Sequence, residues 1–291
     1  MSEKAPWQKL GYTLKLGLRA LPEADWLPYD DLFGNAAARQ HQLTTKAELL
    51  RDHHQDVFAS LPETEAAGAE TLAMVQNHLK THQPQTALSS QNTDGLHPLD
   101  AAARLIPEDL LLLAPRERET ETQSGAYDWV LVAASLCFPA HWVLAEKMGL
   151  PLAGIHAPVP HYQERLETPM DRFFTNMKIG PISTRMNWSL QLGAELYAPH
   201  RSERQAAMAD INSHDLCVRL ESQTLRKLPH SGFVLFTIRT HLVPFSHWHD
   251  TPDALQDLVT MLGEMSPETR AYKGAHLYED ALKHALNNAS S

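Results

Sequence analysis

The sequence predicts an α+β fold built on an antiparallel sheet, and three observations carry that prediction. Helical patterning dominates both ends of the chain, strand patterning fills the middle, and the strands follow one another with a single helix among them. A doubly wound parallel sheet needs a crossover, usually a helix, between successive strands, and the chain does not provide one for each. The pattern reads as one domain over residues 1–291, helical over 1–105, sheet-rich over 106–245 and helical again over 246–291.

In the first third, Thr45-Lys-Ala-Glu48 fits a capping box and predicts a helix over Ala47–Ser60, closed by Leu61-Pro62. Leu72, Val75 and Leu79 then recur at helical spacing until Pro84. Gln83 to Pro98 is polar and reads as a surface loop. The run from Asp128 to Cys137 is almost wholly apolar, as in a strand buried on both faces. Met186–Gly193 alternates, with Met186, Trp188, Leu190 and Leu192 on one side; Leu216–Glu221 alternates likewise. In Phe233–Val243 the apolar Val234, Phe236, Ile238 and Leu242 oppose Thr237, Arg239 and His241. Thr251-Pro252 and Ser266-Pro267 each read as an N-cap followed by a proline suited to a first helical turn. Leu255, Leu258, Val259 and Leu262 form one apolar stripe, and the helix begun at Ser266 runs to about Leu286.

Charge narrows the class of partner. With 25 Lys and Arg against 35 Asp and Glu, the formal net charge is -10. A nucleic-acid binder needs a positive footprint, and an anionic membrane surface repels such a chain. Met1–Leu21 has no continuous apolar stretch of the kind a secretory signal carries, and Trp129–Ala145 is too short and broken to span a bilayer. Two cysteines, Cys137 and Cys217, are too few for a disulfide framework, so the chain reads as cytoplasmic. No Gly-rich phosphate loop and no His-Glu-x-x-His pattern occurs among the 17 histidines. His247-Trp-His-Asp250 would place two imidazoles on one side of a strand as metal donors, but it precedes a helix cap, where such side chains are usually solvated.

Three sets of residues carry a family likeness. The first is Cys137-Phe-Pro-Ala-His-Trp142, Glu146-Lys-Met-Gly149 and Ile155-His-Ala-Pro-Val-Pro160. The second is Arg219-Leu-Glu-Ser-Gln-Thr-Leu-Arg-Lys-Leu-Pro229 running into Phe236-Thr-Ile-Arg239, and the third is Ser266-Pro-Glu268 with Ala271-Tyr-Lys-Gly274. Together with Gly17-Leu18 and Trp26-Leu27, they resemble the haem-binding alpha subunit of the haem-dependent oxidative N-demethylase family, over about Leu16 to Leu286. The resemblance implies a PAS-like antiparallel sheet with helical extensions and a b-type haem. It implies O2-dependent removal of an N-methyl group from a small amine such as dimethylamine, releasing formaldehyde. It also implies electrons from a separate flavin and iron–sulfur reductase, hence a hetero-oligomer.

Site candidates follow from these motifs. His156 is the first choice for an axial haem ligand, since neutral imidazole binds iron and Pro158 and Pro160 stiffen its loop; the plainer reading is that His156 caps the turn. Cys137 or Cys217 as a thiolate ligand is the competing idea, against the usual role of a buried cysteine as a small hydrophobe. Arg226 and Arg239 suit the haem propionates, and an exposed sheet face or an ion pair with Glu221 is the alternative. A small alkylammonium would want a carboxylate or an aromatic face, which Glu221 and Trp188 could supply; Glu221 is also the candidate catalytic carboxylate, and both have structural alternatives. Two non-demethylase readings stand beside this one: a PAS-like haem or small-ligand binding protein, and a haemless structural member of the family.

Overall fold

A computed structural model describes residues 4–12, 14–30, 32, 36–84, 95–117, 127–200 and 211–289. The elements used below are α1 (Pro6–Leu10), β1 (Arg19–Leu21), α2 (Ala36–Asp52), β2 (Phe58–Ser60), α3 (Glu65–His82), α4 (Pro98–Ala103), β3 (Asp109–Glu117) and β4 (Tyr127–Ser135). They continue with α5 (Thr168–Asn176), β5 (Ile182–Leu192), β6 (Leu216–Lys227), β7 (Val234–Pro244), α6 (Ala254–Glu264), α7 (Pro267–Lys273) and α8 (Glu279–Ala289). The strands form one sheet in the order β1-β5-β6-β7-β3-β4-β2, with every neighbouring pair antiparallel. The α+β class is therefore as the sequence predicts.

Register assigns each side chain a face, because directly opposed residues project to the same side. Trp188↔Leu220↔His241, Ser222↔Arg239 and Ile182↔Arg226↔Leu235 share one side. Asn187↔Glu221↔Thr240 and Arg185↔Gln223↔Ile238 share the other. On the first side, Val75, Leu79 and Leu99 from α3 and α4 pack on Leu110, Leu112 and Leu235. Farther along it, Leu258, Leu262 and Leu282 from α6 and α8 pack with Trp7 on Trp188, Val218 and Leu220. This side is called the helical face. On the opposite side, Leu144, Leu152, Tyr162, Leu166 and Phe174, all from the connection between β4 and β5, pack on Leu111, Leu225, Val234 and Ile238. That is the crossover face. With both faces covered, β3 and β7 bury polar as well as apolar residues, including Thr237, Arg239 and His241.

Helix α2 occupies a place that no strand among the described residues fills. Pairing of β3 with β7 ends at Asp109↔Ile238. Beyond it the free edge of β7 is met by Gln42, whose Nε2 donates to Thr240 O at 2.5 Å. One turn on, Lys46 Nζ donates to Ile106 O at 3.2 Å and to Glu108 O. Arg39, Gln42 and Lys46, spaced for one helical face, are all buried. Asp109, fully buried at the head of β3, accepts from the backbone N–H of Cys137 at 2.8 Å and Phe138 at 3.0 Å, with Lys46 Nζ 3.8 Å away. It thereby fixes the point where the chain leaves β4 for the crossover.

Several local expectations are corrected. Thr45–Glu48 lies inside α2, which starts at Ala36, so it is not a capping box; the predicted helix over Ala47–Ser60 ends early, and Phe58–Ser60 is a strand. The helix-patterned first third thus contributes two strands, and the Leu-rich β3 was not read as one. Helix α6 begins after Asp253, which sits at φ 58, rather than at Thr251-Pro252. Ser266 does cap α7 by accepting from Thr269 N, but Gly274 at φ 69 breaks the helix expected to reach Leu286 into α7 and α8. Most of the Gln83–Pro98 loop lies outside the described residues. No helix among the described residues is long and apolar enough to cross a membrane.

Burial pushes the Asp109 carboxyl up to about 6, against Lys46, the two backbone donors and Arg219. For an acid raised on folding, the linked stability is fully present below its ordinary value and is lost as pH rises through 6. Asp109→Asn should therefore flatten the decline in stability between about pH 4 and pH 6, read by urea unfolding across that range. Asp109→Ala strands two N–H groups and Lys46 and should cost about 3–5 kcal/mol at neutral pH in the same measurement.

Candidate functional site

After β4 the chain passes Cys137 and Phe138, turns at Gly149 (φ 77) and forms a one-turn helix at Leu152–Ile155. His156 ends that turn. Its Nδ1 lies 2.8 Å from Leu152 O, and its ring stacks on Tyr162 with centroids 4.9 Å apart and planes 5° from parallel. A carbonyl can only accept, so Nδ1 carries the proton and Nε2 keeps its lone pair. Capping and ligation, alternatives in the sequence, are compatible here: one nitrogen caps the turn while the other is left for a ligand. Burial lowers the imidazole below its ordinary value; the Leu152 carbonyl opposes this, and the nearby positive charges of Arg185 and Lys147 add to it. The ring is therefore neutral at physiological pH.

Arg185 reaches this region from β5 on the crossover face. Its Nε is buried and has no hydrogen-bond partner among the described residues. Burial lowers the guanidinium, and Glu221 raises it. Two residues along the same strand face, Ser183 joins Thr168, Pro169, Arg172, Phe173, Met177, Lys178 and Pro181 around a cleft of about 580 Å³. Its walls are mostly apolar, and two cations, Arg172 and Lys178, stand among its lining residues.

Glu221 is on the same face. Its Oε1 accepts from Arg219 Nε at 3.0 Å; its Oε2 accepts from Asn187 Nδ2 at 3.3 Å and Gln223 Nε2 at 2.9 Å. Burial alone would raise this carboxyl, but Arg219 and the two amide donors hold it below the usual carboxylate range. Arg219 also donates to Phe138 O and, at 3.1 Å, to Thr240 Oγ1, tying this group to the same loop that Asp109 grips.

The other sequence candidates stand elsewhere. Arg226 is on the helical face, paired with Glu23 at 3.0 Å and lying over the Trp26 ring at 4.2 Å. Arg239 is on that face too, 1 % exposed, and pairs with Glu108 at 3.3 Å rather than with Glu221. Trp188 donates to Gly11 O at 3.0 Å and packs on Trp7. Of the five candidates, His156 and Glu221 lie on the crossover face, and Arg226, Arg239 and Trp188 lie on the helical face. Cys137 is buried with its thiol pushed up to about 12, which disfavours the thiolate a metal would need; Cys217 is buried as well. His247 and His249 are exposed around a single helical turn, and no group of three His, Cys, Asp or Glu among the described residues is placed to hold a metal ion.

The sequence reading did not pick out Arg185, Gln223 or Tyr162. The signal for the first two was present in the alternation of β5 and β6, whose polar residues share the parity of Glu221. A planar metal cofactor with carboxylate tails asks for an imidazole with a free nitrogen and a cation with an open N–H donor. His156 and Arg185 meet both demands on one face. Residues 17–283 match the protein family described as haem-dependent oxidative N-demethylase, alpha subunit-like.

His156 should titrate below the ordinary imidazole value in the folded, cofactor-free protein, as read by NMR of its ring protons. Its contribution to stability is full above pH 6.5 and falls as pH drops through the lowered value.

Proposed function

Because the chain belongs to the haem-dependent oxidative N-demethylase alpha-subunit-like family, we propose that it is the haem-binding subunit of an enzyme that removes a methyl group from a small amine, with the crossover face as its site. The observation that carries this reading is His156, whose Nδ1 is committed to Leu152 O and whose Nε2 has no partner among the described residues. His156 Nε2 would hold the haem iron, and the open Arg185 Nε, in place of Arg226 and Arg239, would donate to a haem carboxylate. Bound haem b supplies O2 binding and one-electron chemistry, which no amino-acid side chain here provides.

The chain's own residues bind and orient. Tyr162, stacked on His156, fixes the imidazole plane. Glu221 stays ionised and uses three of its roughly four acceptor positions on Arg219, Asn187 and Gln223, leaving room for one N–H of an alkylammonium. The long strands support a PAS-like reading: in space they run third, fourth, fifth, first, second, with helical segments between the second and third lying on one face. The electron source in this reading is the separate flavin and iron–sulfur reductase that the family likeness implies; the two cysteines of this chain fall short of a four-thiolate cluster set.

The test is spectroscopic first. Protein purified after expression with ample haem should show a Soret band, and His156→Ala should lose it or change its spin state. No Soret band in the parent, or an unaltered spectrum in the variant, overturns the assignment. Supplied with reductant, O2 and dimethylamine, the parent should release formaldehyde. Glu221→Gln should raise KM roughly 10-fold or more while retaining haem, consistent with loss of a charge-assisted contact of about 1.5–3 kcal/mol.

A further inference from the structure

A second group of buried charges lies on the helical face and takes no part in the site above. Arg39 reaches it from α2 and Arg239 from β7; they are 5 % and 1 % exposed, and Glu108, just before β3, is 2 % exposed. Glu108 Oε1 meets Arg239 Nη1 at 3.3 Å. The remaining valences are open: Arg39 Nη2, Arg239 Nε, Arg239 Nη2 and Glu108 Oε2 are all buried without a hydrogen-bond partner among the described residues. Arg39 feels the charge of both Glu108 and Arg239, and its guanidinium is lowered by burial foremost. The three side chains therefore form one electrostatic unit.

Among the described residues, two guanidiniums and one carboxylate leave one net positive charge out of water. Burying an uncompensated charge costs several kcal/mol, and water can fill donor valences but cannot neutralise the charge. The open atoms also specify the complement: a body with several acceptors for three N–H donors, one donor for Glu108 Oε2, and one negative charge. A halide lacks the donor, and a simple carboxylate lacks it too. We propose that Arg39, Arg239 and Glu108 bind a small oxyanion that keeps a hydroxyl, the chemistry shared by bicarbonate and dihydrogen phosphate. Its oxygens accept from the guanidiniums while its O–H donates to Glu108 Oε2. Such a ligand would pin α2 to β7 beside the contact that Gln42 makes with Thr240.

Equilibrium dialysis of the full chain against isotope-labelled bicarbonate, and separately against labelled phosphate, reads this directly. One ion bound per chain, saturable and undiminished by matched sodium chloride, is the expected result, and the arm that binds more tightly identifies the source. Arg39→Met should weaken binding by roughly 10-fold or more, in line with the 1.5–3 kcal/mol of a charged hydrogen bond; Glu108→Gln should shift preference toward anions without a hydroxyl, such as nitrate. If Arg39→Met does not fold, the parent measurement still decides. Failure of both oxyanions to bind, competition by chloride at equal concentration, or full binding by a folded Arg39→Met protein overturns the proposal.

Discussion

Asp109 stands where three parts of the chain meet. Its carboxylate accepts the two backbone N–H groups at which β4 turns into the crossover, and Lys46 of α2 stands opposite it. From Phe138 the network passes through Arg219 to Glu221, and from Glu221 to Asn187 and Gln223. A buried carboxylate cannot be re-solvated when its partners move, so this chain of contacts holds together or is lost together. The crossover that carries His156 leaves the sheet at a direction fixed by Asp109. The polar residues of β5 and β6 face it because Arg219 holds the same loop from the other side.

The strand period then decides which residues can cooperate. Side chains alternate, so one step along β6 moves a residue from one environment to another. Arg226 and Glu221 are five residues apart and lie on opposite faces; Arg219 and Glu221 are two apart and pair. Sequence motifs run across this alternation without regard to it. That is why Gln-Thr-Leu-Arg226 marked the family while its arginine turned out to serve Trp26 and Glu23.

The parts that were legible in the sequence are those where one period dominates. The β7 pattern, the α6 stripe and the Met186–Leu192 and Leu216–Glu221 parts of β5 and β6 are legible because one apolar period dominates each, while Ile182–Arg185 and Ser222–Lys227 extend the two strands beyond it. Helix α2 was misplaced because its inward face carries Arg39, Gln42 and Lys46, which imitate a solvated surface until their partners are seen. β3 and β2 were missed for the opposite reasons: the first is a run of leucines without alternation, the second only three residues long. His156, the proposed ligand, is marked by its motif in the sequence. Arg185 is not, since only strand pairing brings it to Gln223 and so to the face that the crossover covers.

The sheet ends on both sides in three-residue strands, β1 and β2. A long bare edge offers a ladder of unsatisfied N–H and C=O groups onto which another chain can zip. Three residues offer one or two such rungs, and β1 adds the exposed cation Arg19. Pairing by another chain is thus discouraged at β1 and β2, whereas β5 runs on from Arg185 to Leu192 beyond its three-residue pairing with β1. A partner that meets β1 or β2 does so through side-chain surfaces, where charge and shape discriminate, rather than through backbone pairing, which accepts almost any sequence.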